Sequence, residues 1–252
     1  MENQIYFDHT YTMDQNHVFF NTLSGAGFTI NEKMTEHPDV ICKFIMFPDK
    51  KYLEFVHDNS DGSKYNKPGI SFGYKGVLQD LFVELKEKTS FGPEYVHRNY
   101  DWKNNDKDHL PGWNFLEFKE LGFTTFNPWF TEYEKREEVN LNAPSHPNGV
   151  ESIFGHRFII NEQGRAFFER IFNIKIGDKL TLSDGVSFFF EEGVENRHAA
   201  VLLHSEGDLS KLCSKGSQIV NNYLLIKNPH QNKTMWDIII ANKNTFTCPK
   251  GT

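Results

Sequence analysis

Two stretches of this chain read alike: YFDHTYTMDQNHVFFNTL at residues 6 to 23, and IFGHRFIINEQGRAFFERIF at residues 153 to 172. Each has an aromatic, one intervening residue, a histidine, an apolar stretch, a polar break and a Phe-Phe pair. In the first, Ile5, Phe7, His9, Tyr11 and Met13 alternate and share one face of a strand. Asp14 is a helix N-cap, and Val18, Phe19 and Leu23 fall on one side of the helix it starts. In the second, Phe154, His156, Phe158 and Ile160 share a face. Asn161 is the cap, and Phe167, Phe168, Ile171 and Phe172 form the apolar stripe of the helix.

Working outward, Thr29 to Lys33, Val40 to Phe47 and residues 51 to 56 read as three strands after the first helix. KLTL, VSFFFEE and HAAVLLHS read as three strands after the second. The pattern predicts two β-α-β-β-β modules, 1–57 and 152–205. Between them, 58–151 reads as an insertion with a helix at 77–88, a loop at 97–112 and strand composition at 123–134 broken at Pro128. Residues 206–252 read as a C-terminal extension with up to two further strands, and the whole chain reads as one structural domain. Such a module has an open sheet edge, so two copies pair to close a curved, cleft-bearing mixed sheet. The fold class is α+β, and repeat symmetry predicts that His9 and His156 meet.

The 252 residues carry 38% hydrophobic residues, 24 phenylalanines and a formal charge of −7. A packed core follows, and no basic stripe suits nucleic acid. No apolar run suits a membrane span. Cys42, Cys213 and Cys248 form no CxxC, and the first residues lack the basic and apolar regions of a signal peptide. The expected setting is a reducing cytoplasm, with Cys42 buried and inert. The KNNDKDH run at 103–109 reads as a solvated loop, HPNG at 146–149 as a turn, and the NKT at 232–234 carries no glycosylation reading in the cytoplasm. No P-loop or G-x-G-x-x-G occurs.

FDHTYTM, GAGFTI, MFPDKKYLEFV, PGISFGY, NPWFTEY and HPNGVESIFGHRFII, in this order, resemble glyoxalase-like domain proteins of bacteria. These belong to the vicinal oxygen chelate superfamily of glyoxalase I, extradiol dioxygenases and bleomycin-resistance proteins. The resemblance spans most of residues 5 to 205. It implies metal ligands on the first and last strands of each module: His9, Glu54 and His156. The fourth position falls on Val201 or Leu202, neither a ligand; a register shift would bring in His204, and His198 shares its face. Two histidines and one carboxylate suit Fe or Mn, with Zn or Ni the other divalent metals expected in this superfamily.

Residue by residue, Glu54 lies between Tyr52 and Val56 on its strand face, where a lone carboxylate needs a partner. A metal supplies one; an N–H donor or Arg157 supplies another. His9 and His156 also read as core histidines bonded to backbone carbonyls. Two functions follow. One is a metal-dependent lyase, isomerase or dioxygenase acting on a small oxygenated molecule, with Glu54 as ligand and base. The other is a metal-free protein that sequesters a small molecule in a cleft lined by Phe7, Tyr11, Phe44, Phe154 and Phe158. The partner in both is a small molecule, and the modules close within one chain or across a homodimer.

Overall fold

The structure, a computed structural model, describes residues 4–30, 35–37, 40–58, 67–98, 112–123, 125–134, 145–212, 217–220, 222–230 and 235–248. The runs 103–109 and 232–234, and Cys213, lie outside the described residues.

Strand β1 is Ile5–Met13 and helix α1 is Val18–Gly25, with a 3-10 turn at Gln15–His17 between them. Asp14 caps the helix across that turn: its carboxylate accepts from the backbone N–H groups of Phe19 at 2.9 Å and Phe20 at 2.8 Å. Strands β2 (Thr35–His37), β3 (Val40–Met46) and β4 (Tyr52–Asp58) follow. β4 runs parallel to β1, and the order is β2-β3-β4-β1. The chain then repeats the wiring. β5 (Gly69–Tyr74), α2 (Leu78–Lys88), β6 (Pro93–Arg98), β7 (Trp113–Phe118) and β8 (Asn127–Tyr133) give β5-β8-β7-β6, with β8 parallel to β5. β1 and β5 pair antiparallel and fuse the two modules into one eight-stranded sheet.

The expected insertion 58–151 is therefore a module in its own right, and it partners residues 5–58. Its strands PEYVHR and WNFLEF are short, and polar residues between them hide the pair. Pro128 breaks nothing: it is the second residue of β8, opposite Ile70, where a strand tolerates proline.

The second half is built the same way. β9 (Val150–Ile160), α3 (Glu162–Phe172), β10 (Lys179–Thr181) and β11 (Ser187–Glu192) form a shorter module, with β11 parallel to β9. β12 (Arg197–Ser205), a 3-10 turn at Leu209–Leu212, β13 (Ser217–Val220), β14 (Tyr223–Ile226) and β15 (Asp237–Ala241) form a fourth unit, with β15 parallel to β12. The seven-stranded order is β10-β11-β9-β12-β15-β14-β13. HAAVLLHS thus opens a module instead of closing one, and the stretch after 206 completes the second sheet. Paired modules in mixed sheets of an α+β fold are as expected; the partners are not, because β1 and β9 lie in different sheets.

One core joins both halves and all three helices. Phe19 of α1 meets Trp236 at 6.0 Å, Phe167 of α3 meets Phe91 at 5.4 Å, and Phe72 meets Phe188 at 5.8 Å between ring centroids. Burying such rings drives the packing of the halves. Ser183 N–H donates to the Ile5 carbonyl at 3.1 Å, and buried Lys51 pairs with Asp184 at 3.3 Å. The Phe-Phe pairs 19–20 and 167–168 are core packing, as the sequence indicates.

Two β-bulges decide which side chains leave this core. In β1 the register steps from Phe7 opposite Phe72 to His9 opposite Ser71, so Asp8 is the extra residue. In β9 it steps from Ile153 opposite Leu203 to Gly155 opposite Leu202, so Phe154 is the extra residue. Ile5 and Phe7 consequently face the shared core, whereas Tyr11 and Met13 pack with Val40, Cys42 and Val56 on the opposite, open face. The five alternating residues of the strand do not share one side.

Candidate functional site on the open face of the N-terminal sheet

The bulge turns His9 outward onto the open face, between β4 and β5. His9 is opposite Tyr52 and Ser71 in the register, and Tyr11 is opposite Glu54. The imidazole lies flat on Tyr52, ring centroids 4.4 Å apart, and Trp129 meets its edge at 5.4 Å. Its Nδ1–H donates to the Asp8 carboxylate at 2.8 Å. Tyr133 also donates to Asp8, at 3.1 Å, and Tyr52 donates to the Tyr133 oxygen at 3.1 Å. Burial, together with Tyr133 and the charges of Asp8 and Glu54, pushes the Tyr52 phenol well above its ordinary value, so it remains a donor.

This chain of bonds fixes the tautomer. With Nδ1–H committed to Asp8, the neutral ring presents Nε2 as an acceptor. The Glu54 carboxylate stands 3.9 Å from Nε2, too far for a hydrogen bond. The His9 side chain is buried, retaining 7% of its surface, and Glu54 retains 18%. Beside Glu54, burial and then the Glu54 charge and hydrogen bond hold the Cys42 thiol protonated, so Cys42 is buried and inert as expected. Ser71 and Thr131 bond each other at 2.7 Å, and the Trp129 N–H donates to Thr131 at 2.9 Å. Gly69 makes the site narrow: a Cβ there would lie 2.3 Å from both the Trp129 and Tyr11 rings.

Of the three expected ligands, His9 and Glu54 come together and His156 does not. Counting from the bulges, the counterpart of His9 is Gly155, and His156 is one residue further on, which turns it to the other face. It lies wholly buried in the shared core, 4.4 Å from the Phe7 ring, with Nδ1 3.0 Å from Nε2 of His198. Burial, with His198 and Lys51 adding, drives its imidazole well below the usual value; burial takes His198 down to about 3. His204 is elsewhere too: its Nδ1 accepts from the Lys243 N–H at 3.2 Å. Arg157 pairs with Glu191, not Glu54.

The donor set does not fit a resident metal. Among the described residues no group of three or more His, Cys, Asp or Glu side chains could hold an ion. His9 and Glu54 supply two donors, whereas such sites draw on three or more protein ligands. On the neighbouring strands β5 and β8, Ser71 and Thr131 are bonded to each other.

Of the expected lining, Tyr11 and Phe44 belong to this face, Phe7 and Phe158 to the core, and Phe154 to the open face of the second sheet. Sequence reasoning missed Asp8, Trp129 and Tyr133. The signal for Asp8 is an acidic residue inside an apolar strand, a position that strands disfavour.

No family model and no curated protein matches the chain. Solved structures do. A hypothetical protein from Staphylococcus aureus is similar with a TM-score of 0.64 at 12% identity, over 94% of this chain and 99% of that one. Homoprotocatechuate 2,3-dioxygenase from Arthrobacter globiformis is similar with a TM-score of 0.54 at 14% identity, over 96% and 79%. The Brevibacterium fuscum homoprotocatechuate 2,3-dioxygenase, in complex with 3,4-dihydroxyphenylacetate, is similar with a TM-score of 0.51 at 12% identity, over 95% and 80%. The chain shares its fold with these structures. Among the described residues no helix is long and apolar enough to cross a membrane.

Proposed function

We propose that this chain is a small-molecule-binding protein of the glyoxalase-like kind. Its site is the open face of the N-terminal sheet, and it works without a resident metal. The observation that carries this is the pair of acceptors, His9 Nε2 and Glu54, 3.9 Å apart among Tyr11, Phe44, Tyr52 and Trp129. Two acceptors side by side ask for a ligand with two neighbouring donors, and aromatic walls ask for a flat body. A vicinal diol on a ring meets both demands: one hydroxyl donates to Nε2, the other to the carboxylate. Asp8, Tyr133 and Tyr52 hold the imidazole in its accepting tautomer. The metal-dependent reading of the sequence is the poorer fit, for want of donors.

A second reading rests on Glu54 alone. A carboxylate positioned to accept a ligand hydroxyl proton is also positioned to remove one, which makes Glu54 the general base of a proton-transfer reaction. Variants test the shared claim. Calorimetric titration with catechol should show Glu54→Gln and His9→Ala each weakening binding about 10- to 100-fold, about 1.4–2.7 kcal/mol per lost charged or buried hydrogen bond. Equal affinity in all three proteins would overturn the site.

A further inference from the structure

The turn between β1 and α1 buries a histidine that makes no hydrogen bond. Asn16 and His17 both adopt left-handed backbone, with φ of 58° and 53°, a conformation that residues other than glycine adopt at a cost. His17 is 7% exposed, and among the described residues neither of its ring nitrogens has a hydrogen-bond partner. A neutral imidazole carries one N–H donor and one acceptor, and leaving both empty in a buried place is unfavourable.

Two further nitrogen groups converge on this ring. His57 of β4 stands edge-on to it, ring centroids 5.6 Å apart. The turn engages His57 Nδ1, which lies 3.2 Å from the Asn16 N–H and beside Gln15 Oε1, so Nε2 is left over. Lys43 of β3 shares the Phe20 ring with His17: its Nζ lies 5.0 Å from the Phe20 centroid, and the His17 ring lies 6.2 Å from it. Lys43 makes no ion pair among the described residues. Burial and then the Lys43 charge lower the His17 imidazole to about 4, with His57 adding and Asp14 opposing. Asp14 is already taken, by the N–H groups of Phe19 and Phe20 and by His230. His57 alternates with Glu54 along β4, so this corner lies on the helix side of the sheet and is separate from the His9–Glu54 pair.

We infer that the corner between this turn and strands β3 and β4 binds a tetrahedral oxyanion through His17, His57 and Lys43. The oxyanion is a free sulfate or phosphate ion or the phosphoryl group of an ester. The ammonium group and the imidazole N–H groups donate to its oxygens, and the buried ring gains the partner it lacks. A metal cation would face the Lys43 charge; an anion is drawn by it.

Ring-proton NMR of the full-length protein tests this, with sodium sulfate as the probe and sodium chloride of equal ionic strength as the control. At about pH 6 sulfate should shift the His17 and His57 ring signals saturably, and chloride should not. A bound anion favours imidazolium over imidazole, so the affinity for sulfate should rise severalfold from pH 7.5 to pH 5.5. Lys43→Met keeps an apolar stem on Phe20 and removes the charge, and should weaken sulfate binding about tenfold or more. His17→Asn places in the turn a residue type that tolerates the left-handed backbone, and should abolish the response of His57. Phenyl phosphate separates the sources: shifts with sulfate alone assign a free ion, and shifts with both assign a site open to a phosphoryl ester. Equal shifts in sulfate and chloride, or undiminished sulfate affinity in Lys43→Met, would overturn the inference.

Discussion

As the pH falls from 7.5 to 4.5 the protein should lose stability through two histidines that have nothing to do with its site, about 2–3 kcal/mol of it through His198 and more through His156. His156 and His198 are fully buried in the core between the sheets, and burial holds both imidazoles well below 6.5, His198 at about 3. Their folded forms therefore stay neutral while the unfolded chain takes up two protons as the pH falls through 6.5. The unfolded state binds more protons, so stability falls with falling pH, by about 1.4 kcal/mol per unit for each histidine. The contribution is intact above 6.5 and drains away towards the folded values. A loss of several kcal/mol is a large fraction of the whole stability of many domains. Urea unfolding across this range measures it. Replacing both residues (His156→Leu with His198→Leu) should remove about two protons from the uptake on unfolding. An unchanged pH slope in the double variant would show that other groups set the acid limit.

Asp14→Ala should cost about 3 kcal/mol, or about 6–12 °C in Tm for a chain of this size. Asp14 is fully buried and accepts three hydrogen bonds: from the N–H groups of Phe19 and Phe20, and from His230 at 2.8 Å. Loss of a helix cap alone costs about 1 kcal/mol. Here two buried N–H groups at the start of α1 lose their acceptor together, and a buried partner of a histidine disappears, a costlier change than removing a surface ion pair. The loss should show first as fraying of α1. Thermal denaturation of the variant decides, and a change under about 1 kcal/mol would show that the cap is dispensable.

Asp14 and its helix were plain in the sequence because caps and helical stripes are local signals. So were the strand-helix opening of each half and the α+β class, whereas the meeting of His9 with Glu54 followed from the family resemblance. Two things were not local. The module at 69–133 is hidden by polar stretches that resemble long loops, which leaves 152–205 as the visible partner of the first module. The bulges at Asp8 and Phe154 were silent as well. His9 follows its bulge residue directly, whereas His156 is one residue further on, and strand geometry turns that single step into the difference between an open face and a core. The equal spacing of aromatic and histidine in the two stretches is real, but it is not the structural alignment. Asp8, which the sequence reading passed over, is the group that orients the imidazole. Tyr133 comes from the module read as an insertion, so no reasoning confined to the two similar stretches could have reached it.

The central claim is that His9 and Glu54 bind a neutral, hydroxyl-bearing ligand directly, not through a metal. The most direct measurement is a calorimetric titration of catechol into the natural protein, freshly treated with a chelator and then repeated with Fe(II) or Mn(II) added back. Direct binding predicts saturation at one equivalent on the first sheet's open face in the chelator-treated protein, and the same affinity after metal is restored. Binding that vanishes on chelation and returns with one equivalent of metal would contradict it, and would mean that a third ligand completes the His9–Glu54 pair.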